Sequence, residues 1–143
     1  MQIRKLTTQV SVSPQLEPEE LANLAAAGFR SVINNRPDGE ADDQPASAVM
    51  ADAAARHGLA YQYIPVVPGQ YDSAAIDAMA QAMEELPGPV LAFCRTGTRS
   101  TSLWALQEAR HADVDGLLAI AGEAGYDLAG LALRLHAVHG MAG

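Results

Sequence analysis

One cysteine, Cys94, stands where an apolar run meets a polar loop with two arginines: Pro89-Val-Leu-Ala-Phe-Cys94-Arg-Thr-Gly-Thr-Arg99-Ser100. Val90 to Phe93 has the length and composition of a buried strand, and Thr101 to Arg110 is compatible with a helix. Strand, tight loop and helix in that order gather loop N–H groups and the positive end of a helix around one point. A thiol at that point, beside the guanidinium groups of Arg95 and Arg99, is expected to ionise well below the ~8.5 of a free thiol. That makes a nucleophile without a histidine partner. Arg99 closes the loop and binds an anion, and Arg95 is a second contact at the rim, or a solvent-exposed side chain. Gly97 lets the chain turn sharply, and Thr96 and Thr98 contribute loop amides. Ser100 donates to the thiolate or caps the following helix. A lone cysteine is often an inert core residue, but Arg-Thr-Gly-Thr-Arg directly after the thiol does not suit one.

The rest of the chain must hold that loop. Ile3–Leu6 and Val10–Val12 read as extended segments stopped by Ser13-Pro14. A helix begins near Pro18, with Glu19 and Glu20 at its positive end, and stops at Gly28. Phe29–Asn34 is a β-branched strand, and the polar loop 35–43 leads to a helix from about Pro45 to His57. Leu59–Val66 is the next strand. Asp72 or Ser73 caps a helix that carries Ile76, Met79 and Met83 on one face and ends at Pro87-Gly88. After the Cys94 loop come a helix from Ser100, one bearing Val114, Leu117 and Leu118, and a last one capped by Asp127. Strands alternating with helices imply one α/β domain over residues 1–143, with a mostly parallel central sheet and helices on both faces. Active sites of such sheets lie beyond the carboxyl ends of the strands. Three loops are therefore expected to converge: 35–43, 67–72 and 94–99.

Composition narrows the partners. A net charge of −8 argues against a general affinity for nucleic acid or an anionic membrane. One cysteine excludes an internal disulfide, a four-cysteine zinc site and a paired-cysteine redox motif. The four histidines show no ligand spacing beyond the pair His136 and His139 at a helix end, so no metal and no cofactor are expected. The first residues carry no signal-peptide run, and the chain reads as soluble and cytoplasmic.

Cys94–Ser100 resembles the anion-cradling loop of cysteine-dependent phosphatases and rhodanese sulfurtransferases. Together with Gly28-Phe-Arg-Ser-Val-Ile-Asn-Asn-Arg-Pro-Asp-Gly-Glu40 and Tyr63-Ile-Pro-Val66, the pattern is similar to one bacterial family of tyrosine-phosphatase-like domains. Members occur alone or fused to persulfide dioxygenases of metallo-β-lactamase type and to other sulfide-oxidising enzymes. The resemblance covers about residues 3–138 and implies a cysteine-phosphatase-like fold.

Two departures bear on the reaction. Tyrosine and dual-specificity phosphatases have five residues between cysteine and arginine, with histidine before the cysteine. Here residues 95–98 separate Cys94 from Arg99, as in the six-residue rhodanese loop, and Phe93 precedes the thiol. The phosphatase acid, an aspartate about thirty residues upstream, is also missing: Ile64-Pro-Val-Val-Pro-Gly69 has no carboxylate, and Asp72 is a better helix cap than acid. Transfer of sulfane sulfur releases sulfite or a thiol and needs no such acid. The sequence therefore favours a rhodanese-like sulfurtransferase working through a Cys94 persulfide. Its partners would be a small anionic sulfur donor (thiosulfate or a persulfide), a thiol acceptor and enzymes of sulfide oxidation. Phosphate-ester hydrolysis is the alternative, and a non-catalytic module binding an anion or persulfide is the third reading. Arg36, Asp38 and Glu40 lie in a loop expected to face Cys94, where one carboxylate orients Arg99 or Arg95 or acts on an acceptor, or the three serve only as turn chemistry.

Overall fold

The computed structural model describes residues 1–142. Five strands form one sheet: β1 (Arg4–Lys5), β2 (Val10–Ser13), β3 (Ser31–Asn34), β4 (Ala60–Tyr63) and β5 (Val90–Phe93). Their spatial order is β1-β2-β5-β3-β4. β1 is an antiparallel edge strand, and the other four run parallel, with Phe93 in register with Ser13 on one side and Asn34 on the other. β5 is thus the central strand, and the residue after it emerges at the middle of the sheet's carboxyl edge. The expected α/β architecture, mostly parallel, is what forms.

Six helices cover the sheet: α1 (Leu21–Ala26), α2 (Ser47–Arg56), α3 (Ser73–Glu85), α4 (Thr98–Glu108), α5 (Val114–Glu123) and α6 (Ala132–Ala142). Short 3-10 turns at Pro18–Glu20 and Ala129–Leu131 lead into α1 and α6. The alternation of side chains along a strand divides the core in two. Leu91, Phe93 and Val32 face Leu21, Leu24, Met50 and Ala53 from α1 and α2. Val90, Ala92, Ile33, Val10 and Val12 face Met79, Leu103, Leu106, Leu117 and Leu135 from α3 to α6.

α4 differs from its neighbours. Every residue from Arg99 to Gln107 is buried, so this helix has no solvent face and lies between the sheet and α3, α5 and α6. It begins two residues earlier than the sequence suggests, at Thr98 rather than Ser100. Gly97 makes this start, since its φ of +96° is a left-handed conformation that glycine adopts freely. Thr98 and Arg99 are consequently first-turn helical residues rather than loop residues.

Candidate active site

Cys94 follows directly from β5 and is fully buried, at 0% exposure. Its Sγ accepts a hydrogen bond from the Gly97 backbone N–H at 3.1 Å. The next N–H groups belong to the first turn of α4, which has no preceding turn to supply carbonyl partners. The sulfur therefore lies at the positive end of the most buried helix in the molecule, where a negative charge is favoured.

Arg99 reaches the same place from the second position of α4. Its Nη1 donates to Glu40 Oε2 at 2.7 Å and to the Val66 carbonyl at 2.9 Å, and its Nη2 donates to Glu40 Oε1 at 2.9 Å. A guanidinium has five N–H donors in a fixed fork. Three are committed among the described residues, which leaves Nε–H and the second Nη2–H side by side on one edge. Glu40 thus holds the end of the group while a second fork, the right shape for a carboxylate or phosphoryl oxygen pair, has no oxygen partner among the described residues and faces Cys94. Burial opposes the charge on Arg99. The Glu40 hydrogen bond, the charges of Cys94 and Glu40 and a hydrogen bond to Cys94 outweigh it and hold the group above the ordinary arginine range. The Arg99 hydrogen bond lowers the Glu40 carboxyl despite its own desolvation, with help from Arg36.

A second tier holds these residues. Arg36 Nε donates to Glu40 Oε1 at 3.0 Å and its Nη1 to Gln15 Oε1 at 3.1 Å. Ser100 Oγ donates to Asn35 Oδ1 at 2.7 Å, and Asn35 Nδ2 donates to the Ile64 carbonyl at 3.0 Å. These buried polar groups satisfy one another, which keeps their desolvation from destabilising the fold. Asp38 does other work: its Oδ1 accepts from Ser47 N at 2.8 Å and so caps α2 from a distance.

Of the residues singled out in the sequence, Cys94, Gly97, Arg99, Ser100, Arg36 and Glu40 come together. Asp38 stays at the head of α2. Arg95 and Thr96 are exposed, and the Arg95 side chain makes no hydrogen bond or ion pair among the described residues. Thr98 is also exposed; its Oγ1 accepts from Thr96 Oγ1 at 3.1 Å. Ser100 neither caps α4 nor donates to the thiolate, because its hydroxyl is spent on Asn35. Asp72 caps α3 by accepting from Ala75 N at 2.8 Å. The loop between β4 and α3 brings the Val66 carbonyl to the site and no carboxylate. Gln15 and Asn35 were missed, although both lie within two residues of the carboxyl end of a parallel strand, where the topology places ligand-binding groups. Tyr126 was missed as well. Its hydroxyl donates to the Thr96 carbonyl at 3.1 Å across thirty residues of sequence.

A cysteine ending the central parallel strand, followed by one tight turn and a helix that carries a buried arginine, places the protein in the cysteine-phosphatase-like class of α/β domains. The chain belongs to the family of phosphatase-like domains found in beta-lactamase hydrolase-like proteins, whose model matches residues 2–111. A beta-lactamase hydrolase-like protein of Xylella fastidiosa is 40% identical over 108 residues, which is 76% of this chain and 25% of that protein. The chain therefore spans about a quarter of the length of the curated relatives it matches. Among solved structures, a "putative phosphatase" of Neisseria meningitidis superposes with a TM-score of 0.86 at 31% identity, covering 96% of this chain and 99% of the other. Tk-PTP in its active form shares the fold at 15% identity with a TM-score of 0.70, covering 97% of each chain.

Proposed function

We propose that the protein is a thiol-dependent phosphatase for phosphate esters or anhydrides whose leaving group departs without help from an acid. The observation that carries this reading is the pairing, at one helix end, of a buried sulfur facing an N–H group with an arginine whose second fork edge faces that sulfur and has no oxygen partner among the described residues. Family membership and the phosphatase-like neighbours support phosphoryl chemistry ahead of the sulfane transfer that the sequence favoured. In the first step the Cys94 thiolate attacks phosphorus. The S–P bond forms as the P–O bond to the leaving group breaks, and that electron pair departs on the leaving oxygen. Arg99 and the first-turn amides of α4 stabilise the phosphoryl oxygens as charge shifts onto the leaving group. Water then attacks phosphorus, the S–P bond breaks, and its electron pair returns to sulfur as thiolate.

The missing acid shapes the specificity. Protonation of a leaving oxygen by a positioned acid is worth ~10²–10⁴-fold, but Asp72 is engaged as a helix cap and the Glu40 carboxylate is held by Arg99 and Arg36. Rates on a series of aryl phosphates should therefore fall steeply as the leaving phenol becomes less acidic. Fast turnover of unactivated alkyl phosphates would overturn this reading.

The short loop and the missing acid favour a second reading on their own. Attack of Cys94 on the outer sulfur of thiosulfate expels sulfite, and the Cys94 persulfide then passes its sulfur to a thiol. Intact mass after exposure to thiosulfate tests it. A stable gain of one sulfur that an acceptor thiol removes supports this reading, and an unchanged mass removes it.

A further inference from the structure

We infer that Tyr126 is a positioning residue that locks the Thr96–Gly97 peptide plane, so that its N–H stays aimed at the Cys94 sulfur. The two contacts that define this lock lie on opposite edges of one peptide unit. The Gly97 N–H points to Cys94 Sγ at 3.1 Å, and the Thr96 carbonyl of the same unit accepts from the Tyr126 hydroxyl at 3.1 Å. A trans peptide holds its C=O and N–H antiparallel in a plane, so a partner on the oxygen fixes the direction of the hydrogen. The flanking peptides are held, with the Arg95 carbonyl accepting from Gln15 N and the Gly97 carbonyl from Thr101 N, whereas the Thr96 carbonyl between them accepts from the Tyr126 hydroxyl alone among the described residues. Rotation would turn the N–H away and present a carbonyl oxygen to a negative sulfur, reversing its electrostatic effect.

Three further observations agree. A Cβ on Gly97 would overlap the Tyr126 hydroxyl, so glycine here serves the close approach of the phenol as well as the turn. Burial, and then the charge of Cys94, raises the Tyr126 hydroxyl above the ordinary tyrosine value, which favours the protonated form that donates. Tyr126 also comes from the turn between α5 and α6, whose length and start are set by the Tyr126 N–H bond to the Ala121 carbonyl at 2.9 Å and by Asp127 Oδ1 accepting from Ala129 N at 2.9 Å. That turn lies outside the family-matched residues 2–111. Changes in this turn can therefore alter the reactivity of Cys94 without altering the loop sequence.

The inference concerns the thiolate whichever electrophile it attacks, so its test needs no substrate. Cys94 is the single cysteine, and iodoacetamide alkylation therefore reports on it alone. The rate should be measured across pH for the wild type, Tyr126→Phe and Asp113→Ala. Tyr126→Phe keeps the ring and removes only the hydroxyl. Asp113→Ala removes the cap at the opposite end of α5, where Asp113 Oδ2 accepts from Gly116 N at 3.1 Å, and so lowers stability without touching the turn that carries Tyr126 or the peptide it holds. Altered access scales the rate at every pH, whereas altered thiolate stability moves the pH of half-maximal rate. The lock predicts an alkaline displacement in Tyr126→Phe, equivalent to about a three- to tenfold loss of thiolate at fixed pH, and none in Asp113→Ala. An unchanged profile in Tyr126→Phe, or an equal displacement in Asp113→Ala, would overturn it.

Discussion

Arg95 and Arg99 lie four positions apart around one cysteine, and the fold treats them oppositely. Arg95 is exposed, and its side chain has no described partner, while its backbone carbonyl accepts from Gln15 N at 3.2 Å. Arg99 is buried and holds three hydrogen bonds, two of them to a carboxylate 59 residues earlier. Both carry the same charge, so charge alone does not make an arginine part of the site. The distinction comes from helical phase and strand order. Arg99 sits inside the first turn of a helix with no solvent face, and β3 beside β5 brings Glu40 across from it. A guanidinium fixed at one end and open along one edge loses little freedom when it binds an anion, whereas a mobile one must be ordered first.

The largest effect that would break this comparison is exchange of the two roles. Arg99→Ala should lower kcat/KM for aryl phosphates by about 10²–10³-fold, and Arg99→Lys should restore only part, because a point charge cannot serve Glu40 and a substrate at once. Arg95→Ala should stay within about threefold. Equal losses at both positions would mean that the loop acts through bulk positive charge.

Glu40→Gln sharpens the comparison by leaving Arg99 present but less firmly held, and activity should fall by about tenfold. Stability should also acquire a different acid limb. Because Arg99 lowers the Glu40 carboxyl from its ordinary 4.5, the contribution of the pair is fully present above that pH. It is lost as pH falls through the lower value of the folded state. Urea melts below pH 4.5 should show the wild type losing this contribution and Glu40→Gln lacking it. The same slope in both proteins would show that the pair does not contribute to acid stability.

The smallest effect concerns the support behind Arg99. Ser100→Ala leaves buried Asn35 Oδ1 without its donor, and should destabilise by about 1–2 kcal/mol in denaturant melts with turnover nearly unchanged. A large loss of turnover at full stability would instead place the Ser100 hydroxyl in the chemistry.

The sequence and the fold differ in an instructive way around these residues. Cys94, Gly97 and Arg99 were legible because strand, glycine turn and helix are local patterns, and Asp72 was legible as a cap for the same reason. Arg36 and Glu40 could be placed near the site from topology, since loops after parallel strands share one edge. Which carboxylate met which arginine was not legible, because a two-residue step from Asp38 to Glu40 changes the partner from Ser47 N to Arg99. The start of α4 was misread because Thr98 and Arg99 look like loop residues until the left-handed Gly97 is known. Tyr126 left no signal, as its role depends on packing that brings the turn between α5 and α6 against a loop residue 30 positions earlier.

The most direct measurement follows what is bound to Cys94 during turnover. The protein should be mixed with an activated aryl phosphate, denatured rapidly, and examined by phosphorus NMR and intact mass, with Cys94→Ser as the control. The proposed function predicts a phosphoryl group on sulfur that forms with the burst of phenol and is absent from the control. Turnover without any such adduct, equal in Cys94→Ser, would contradict it.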